Sequence, residues 1–72
     1  MFINEAVSLA LAKHCCIKRT THHWTPLKVM PSNSLNQCLL VIQTKPDAEA
    51  KRVPRWNPSA DDLLADDWVI VP

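Results

Sequence analysis

Apolar residues recur with helical spacing near the start of the chain. Residues 3–13 place them at i, i+3, i+4, i+7 and i+8, which is the stripe of an amphipathic helix. The members of the stripe are Ile3, Ala6, Val7, Ala10 and Leu11. Asn4 and Glu5 give this helix a polar N-terminus, and Lys13 and His14 suit the negative end of its dipole. Because so short a helix is marginal alone, we expect its apolar face to pack on a sheet.

Beyond this helix, short β-prone runs alternate with clusters of turn-forming residues. The predicted strands are residues 15–21, 27–30, 38–44, 51–57 and 68–71. The run 38–44 is the most hydrophobic of them and is predicted to be the central strand. Pro54 lacks a backbone donor, so the strand that contains it belongs at an edge of the sheet or carries a bulge.

A second, short helix is predicted just before the last strand. Ser59 can cap a helix that starts at Ala60, and Asp62 stands three residues after the cap, as in a capping box. The resulting fold class is α+β: an N-terminal helix packed on a mostly antiparallel sheet of about five short strands, with a short helix before the last. Residues 1–72 are expected to form a single small domain.

Composition narrows the function classes. The net charge of +1 argues against a nucleic-acid backbone as the main partner. Glycine is absent, so no glycine-rich phosphate loop can form. No apolar run approaches the roughly 18 residues that span a bilayer, and no secretory signal is visible. We therefore expect a cytoplasmic protein without a membrane partner, in which the three cysteines stay reduced.

Histidine and cysteine residues cluster in one stretch of the chain, and such a cluster could form a metal site. The residues are His14, Cys15, Cys16, His22 and His23, and thiolate and imidazole are ligands that zinc prefers. Neighbouring strand residues point to opposite faces, however, and neither Cys-x-x-Cys nor His-x3-His spacing occurs. Buried thiols and solvent-facing imidazoles explain the pattern better, so no metal or other cofactor is expected.

Paired carboxylates flank the second predicted helix. Asp61, Asp62, Asp66 and Asp67 could do acid–base work, but acidic residues also favour the positive end of a helix and solvated turns. No nucleophile, base and oxyanion hole can be identified together in the sequence. We therefore expect a protein that is not an enzyme.

The tryptophans allow two interpretations. Trp24 and Trp56 stand beside turn residues and near Arg19 and Arg55. In the first interpretation, both rings are anchors in the core or in an interface. In the second, both rings are exposed and stack on a base, while an arginine pairs with phosphate. The second interpretation predicts that both rings are partly exposed at the rim of one pocket. Trp68 opens an apolar strand and is predicted to be a core residue.

The C-terminal third carries a resemblance to a known family. The segment Pro54-Arg-Trp-Asn-Pro-Ser59, followed by Asp-Leu-Leu-Ala-Asp-Asp-Trp over residues 62–68, resembles the second Thoeris anti-defence family. The N-terminal half is less similar: Glu5-Ala-Val7, and Arg19 with Trp24, correspond to that family's first helix and first strand. Three differences stand out. Thr25 replaces a glycine, His22 and His23 lengthen the arginine-to-tryptophan spacing, and the middle of the chain is shorter.

The resemblance implies a function as well as a fold. Members of that family are small phage proteins that bind cyclic ADP-ribose-type immune signals without cleaving them, as homotetramers with pockets at subunit boundaries. It therefore implies a cyclic nucleotide-type ligand, a homo-oligomer and the cytoplasm of an infected bacterium. The implied ligand-binding residues are Trp24 and Trp56 for the base, Arg19 and Arg55 for phosphate, and Asn57 and Ser59 for the sugar. The alternatives are a protein-binding inhibitor or phage accessory protein with tryptophan anchors, or an enzyme of nucleotide turnover.

Overall fold

A computed structural model describes residues 1–21, 24, 26–35, 37–43 and 49–72. It contains two helices and five strands within these residues. In chain order they are α1 (Ile3–Lys13), β1 (Cys16–Arg19), β2 (Leu27–Met30), β3 (Leu39–Ile42), β4 (Lys51–Val53), α2 (Ala60–Leu64) and β5 (Trp68–Val71). The predicted α+β class is confirmed, with a short helix before the last strand. Neither helix of the described chain is long and apolar enough to span a bilayer.

The five strands form one sheet in the order β4-β3-β2-β1-β5, and all neighbours are antiparallel. The first four strands follow each other as a meander, and β5 returns to pair with β1 on the other side. The predicted central strand, residues 38–44, is therefore one place off. It corresponds to β3, and β2 is central because β5 adds a strand beyond β1.

Helix α1 begins and ends without a side-chain cap. Its N-cap residue is Phe2, so Asn4, predicted to lie at the polar start, is already inside the first turn. The helix stops at His14, which adopts a left-handed conformation with φ of 55° and bonds back to the carbonyl of Ala10. In a chain without glycine, a histidine takes the role that glycine usually has at a helix C-terminus.

The core lies between α1 and one face of the sheet. Ala6 and Ala10 are buried, and their small side chains let the helix approach the strands closely. The largest fully buried side chains are Ile17, Val29 and Trp68, on β1, β2 and β5. The pairing of Ile17 with Val29 sets these two side chains on the same face of the sheet. The prediction that Trp68 is a core residue is confirmed, since its exposed fraction is 0%.

Candidate functional site

The three tryptophans pack against each other. The ring centroids of Trp24 and Trp68 are 5.2 Å apart, those of Trp56 and Trp68 are 5.9 Å apart, and those of Trp24 and Trp56 are 6.1 Å apart. The interplanar angles lie between 73° and 80°, so every contact is edge-to-face. This is the arrangement that the quadrupoles of aromatic rings favour.

Only one of the three rings reaches solvent to a substantial extent. Trp24 is 5% exposed and Trp56 is half-buried. The prediction that both rings are exposed at a pocket rim is therefore wrong for Trp24. Its ring contacts both other tryptophans and belongs to the same core cluster as Trp68. Trp56 thus rests on a support of two buried indoles.

Arg19 at the end of β1 contacts α2 and the residue that precedes β5. Its Nε donates to Asp67 Oδ1 at 2.9 Å, and its Nη1 donates to Asp62 Oδ1 at 3.1 Å. The hydrogen bonds that Arg19 donates to Asp67 and Asp62 raise the pKa of its guanidinium. The arginine predicted to pair with phosphate is therefore already paired with two carboxylates, although a guanidinium has five N–H donors and retains some for a further acceptor.

Arg19 also affects the pKa values of the two aspartates. The hydrogen bond from Arg19 lowers the pKa of Asp67. Burial raises the pKa of Asp62, but hydrogen bonds from Ser59 and Arg19 outweigh it, so the net shift is downward. Both carboxylates are thus held ionised, as hydrogen-bond acceptors.

Asp62 also forms the predicted capping box of α2. Its backbone N–H donates to Ser59 Oγ at 3.1 Å, and the Ser59 N–H donates to Asp62 Oδ2 at 3.2 Å. The Asp62 carbonyl accepts from Trp68 Nε1 at 2.9 Å. One residue therefore connects Arg19, the N-cap serine and the buried indole of β5.

The loop between β4 and α2 carries most of the predicted ligand-binding residues. Arg55, Asn57 and Ser59 are exposed on it, on either side of Trp56. Arg55 has a φ of 58°, a left-handed conformation that costs a non-glycine residue about 1 kcal/mol or more. The chain bends at Pro54 and Arg55, and the Trp56 N–H donates to the Cys38 carbonyl at 2.9 Å.

The structure brings the predicted residues together in two groups. Trp24 and Trp56 meet through their rings, whereas Arg19 meets Ser59 only through Asp62. Sequence reasoning missed the roles of Asp62 and Asp67 as partners of Arg19. Their separations of 43 and 48 residues leave no local pattern, and only the abundance of acids in residues 61–67 hinted at a basic partner.

Comparison with protein families shows which family the chain belongs to. The model of the Thoeris anti-defense 2-like domain matches residues 1–71. The chain belongs to the Thoeris anti-defense 2-like family. No curated protein and no solved structure matches the chain significantly.

The match confirms the resemblance seen in the C-terminal third and extends it to every helix and strand. In this Thoeris anti-defense 2-like chain, the weaker likeness of the N-terminal half is therefore part of one domain match rather than a separate similarity. Arg19 and Trp24 from that half meet Asp62 and Trp56 from the C-terminal third. The family supports a role against Thoeris defence and fits a non-catalytic phage protein.

The histidine and cysteine residues form no recognisable centre in the described chain. No group of three or more potential ligands there is placed to hold a metal ion, and Cys15, Cys16 and Cys38 are free thiols. Burial raises the pKa of the Cys16 thiol, which keeps it in its unreactive protonated form. His22 and His23 lie outside the described residues.

Proposed function

We propose that this protein counters Thoeris defence by binding a cyclic ADP-ribose-type nucleotide and holding it without cleaving it. The observation that carries the proposal is the half-buried ring of Trp56, which is held edge-to-face by two buried indoles and flanked by exposed Arg55, Asn57 and Ser59. Membership in the Thoeris anti-defense 2-like family supports the same function.

Trp56 is suited to stacking because its position is fixed before the ligand arrives. Trp24 and Trp68 hold the ring, so binding costs little side-chain entropy. A base stacked on such a ring gains about 1–3 kcal/mol. In this proposal Trp24 contributes by supporting Trp56 rather than by stacking on the base itself.

The polar groups around Trp56 match the remaining chemistry of such a ligand. Arg55 is exposed and can pair with the pyrophosphate, and Asn57 and Ser59 can hydrogen-bond to ribose hydroxyls. The Ser59 hydroxyl accepts from Asp62 N–H, so its own proton remains available to an acceptor on the ligand. Arg19 holds Asp62 and can direct its remaining N–H groups to phosphate.

The protonation state of the site's carboxylates favours sequestration over turnover. Asp62 and Asp67 both have lowered pKa values because Arg19 donates to them, so neither is a proton donor near neutral pH. A general acid or base requires a pKa near the working pH. The carboxylates of Asp62 and Asp67 are thus structural acceptors.

A homo-oligomer, most simply a tetramer, completes the proposal. A chain of 72 residues offers little concave surface of its own, and two large apolar side chains at the N-terminal end remain exposed, Met1 at 40% and Phe2 at 52%. Sites shared between protomers would enclose the ligand and cover such side chains. The protein would act in the cytoplasm of the infected bacterium, where the signal is made.

The exposed leucines favour a second candidate function. Leu35 is 91% exposed and Leu64 is 77% exposed, and surface leucines of this kind can anchor a partner protein. A protein-binding inhibitor would use these side chains and would have no nucleotide ligand.

Native mass spectrometry with cyclic ADP-ribose isomers and cyclic dinucleotides tests the proposal. The expected result is a bound nucleotide that is recovered with unchanged mass after heat denaturation. Trp56→Ala should lose the ligand, whereas Leu64→Ala, a matched change at an exposed apolar side chain, should retain it. Recovery of a hydrolysed product would favour an enzyme, and a folded parent that binds no nucleotide would favour the protein-binding alternative.

A further inference from the structure

The five-stranded sheet has a second face, which points away from the core. Ile17 and Val29 pair with each other and pack with Ala6 and Ala10 of α1, so they mark the core face. Because side chains alternate along a strand, the neighbours of these two residues lie on the second face. None of the side chains that the described strands place there is acidic. The second face is therefore positively charged, although the chain as a whole is nearly neutral.

Three basic side chains form a row across the second face. Since Ile17 pairs with Val29, Lys18 stands opposite Lys28 on the neighbouring strand. Lys28 pairs with Val41, and Val41 pairs with Arg52. The row crosses three strand spacings and is about 14 Å long, which is the length of about four residues of an extended peptide. Like charges directly opposite each other lower the stability of a sheet, so an anionic partner on this row would relieve a repulsion.

An apolar row runs beside the basic row. Cys16 pairs with Val71 on β5 and stands opposite Met30 on β2. Each of these residues is two positions along its strand from the basic row, so the two rows are about 7 Å apart. Burial raises the pKa of the Cys16 thiol, whereas the charges of Lys28 and Arg52 lower it. Both cations therefore lie near the apolar row.

A pocket of about 190 Å³ lies where α1 ends, β1 begins and β2 ends. Cys16 and Met30 of the apolar row line it, together with Leu11 and His14 at the end of the helix. A cavity of about 150 Å³ is large enough to hold benzene. This pocket can therefore take the side chain of a phenylalanine or a leucine.

We propose that the second face binds an acidic segment of another protein, which places an apolar side chain in this pocket and its carboxylates on the basic row. An apolar anchor in a pocket beside complementary charges is a common basis of protein recognition. A nucleic acid fits this face less well, because its bases need aromatic side chains to stack on. The described strands place no aromatic ring on the second face, since Trp68 of β5 lies in the core. This surface lies apart from the tryptophan cluster and does not depend on a nucleotide ligand.

Defined peptides test the site by fluorescence anisotropy. The probe is a labelled peptide with a phenylalanine between two runs of glutamate, and its counterpart has lysine in place of every glutamate. The parent protein should bind the glutamate peptide about tenfold or more tightly than the lysine peptide. Replacing the phenylalanine of the probe by alanine should weaken binding by about tenfold or more, because the pocket then stays empty.

Charge variants of the protein locate the contact on the second face. Arg52→Glu should weaken binding of the glutamate peptide by about tenfold or more. Lys51→Glu makes the same change in net charge, but Lys51 pairs with Ile42, and Ile42 pairs with Leu27 on the core face. This control should keep the affinity within about threefold, since salt screens an exposed charge outside the contact. Combining Lys28→Glu with Arg52→Glu should create binding of the lysine peptide, which also shows that the charge-reversed protein folds.

A matched pair of leucine variants tests the pocket. Leu11 is 43% exposed and lines it, whereas Leu9 is 38% exposed on the same helix and does not. Leu11→Glu should weaken binding of the glutamate peptide by about tenfold, because it sets a carboxylate beside the anchor, and Leu9→Glu should not.

The results that would overturn this surface are equally specific. Equal affinity for the two peptides, or an Arg52→Glu variant that binds the glutamate peptide like the parent, contradicts the proposal. A short oligothymidylate that binds more tightly than the glutamate peptide and is lost in Arg52→Glu would make the row a nucleic-acid site instead. A parent that binds nucleotide but not the glutamate peptide removes this surface alone. A parent that binds the glutamate peptide but no nucleotide removes only the proposed sequestration.

Discussion

The indole N–H of Trp68 donates to the backbone carbonyl of Asp62 at 2.9 Å. This bond spans the turn between α2 and β5, so a core side chain fixes the last turn of the short helix. The side chain of the same aspartate accepts from Arg19 on β1 and from the N-cap residue Ser59. The loop that carries Trp56 is thereby tied to the core at its C-terminal end.

Replacing Trp68 should affect stability through both packing and this hydrogen bond. Trp68→Ala removes a fully buried ring and should lower the free energy of unfolding by about 3–5 kcal/mol. Trp68→Phe keeps an aromatic ring but loses the donor to Asp62, and it should cost less than the alanine variant. Urea denaturation measures both variants. As a control, Leu64→Ala at an exposed side chain should stay within about 0.5 kcal/mol of the parent. Equal stability of parent and Trp68→Ala would contradict the position of β5 in the core.

Removing the Asp62 carboxylate should destabilise the C-terminal end of the loop that carries Trp56. Asp62→Ala breaks the capping box and the bond to Arg19 together, and we expect a loss of about 1–2 kcal/mol. Asp61→Ala is the matched control, since Asp61 is exposed and neighbours Asp62 in the same helical turn. Thermal unfolding of both variants is the measurement, and Asp62→Ala should have the lower melting temperature of the two. A larger loss for Asp61→Ala would show that the network does not hold the helix.

Acid should weaken the fold through Asp62 and Asp67. Both have folded-state pKa values below their ordinary values. Their contribution is therefore complete above the ordinary aspartate pKa of about 3.9 and disappears as the pH falls through the lower folded-state pKa. The free energy of unfolding, measured by urea denaturation at decreasing pH, should fall in this range. Arg19→Met removes the largest cause of the Asp67 shift and one of the causes of the Asp62 shift, so its unfolding free energy should depend less on acid pH than that of the parent. Identical pH profiles for the two proteins would contradict this linkage.

Arg55 should show a conflict between stability and ligand binding. Its φ of 58° suits glycine better than arginine, so Arg55→Gly should raise the free energy of unfolding by about 0.5–1 kcal/mol. The same change removes the guanidinium proposed to pair with phosphate and should weaken nucleotide binding in calorimetry. Arg52→Gly in β4 is the control and should be less stable than the parent. Unchanged affinity in Arg55→Gly would exclude Arg55 from the phosphate contact.

Local sequence patterns determined the elements whose signals are local. The bounds of α1, β2 and β5 and the Ser59 cap were all predicted correctly, since spacing, turn residues and capping chemistry act over a few positions. The fourth strand was predicted to reach residue 57 but ends at Val53. The chain leaves the strand before the left-handed residue Arg55. Glycine is the residue type that usually marks such a conformation in a sequence, and this chain has none.

The candidate site was predicted less completely because its geometry depends on distant partners. Which tryptophan is buried follows from how three rings from separate parts of the chain share one cluster. Composition could not show that Trp24 lies beneath the surface or that Arg19 is paired with two acids. The sequence did identify the loop around Trp56, because that segment carries the most specific motif of the chain.

The pairing of β5 with β1 has a consequence for the order of events during synthesis. Cys16–Arg19 meet Trp68–Val71 in the sheet, so strands about fifty positions apart must come together. Until the later segment leaves the ribosome, β1 has an unsatisfied edge, Arg19 has neither carboxylate, and Trp24 lacks both aromatic neighbours. The sheet can therefore be completed only after position 71 has been translated, so the pairing of β5 with β1 is a late step of folding.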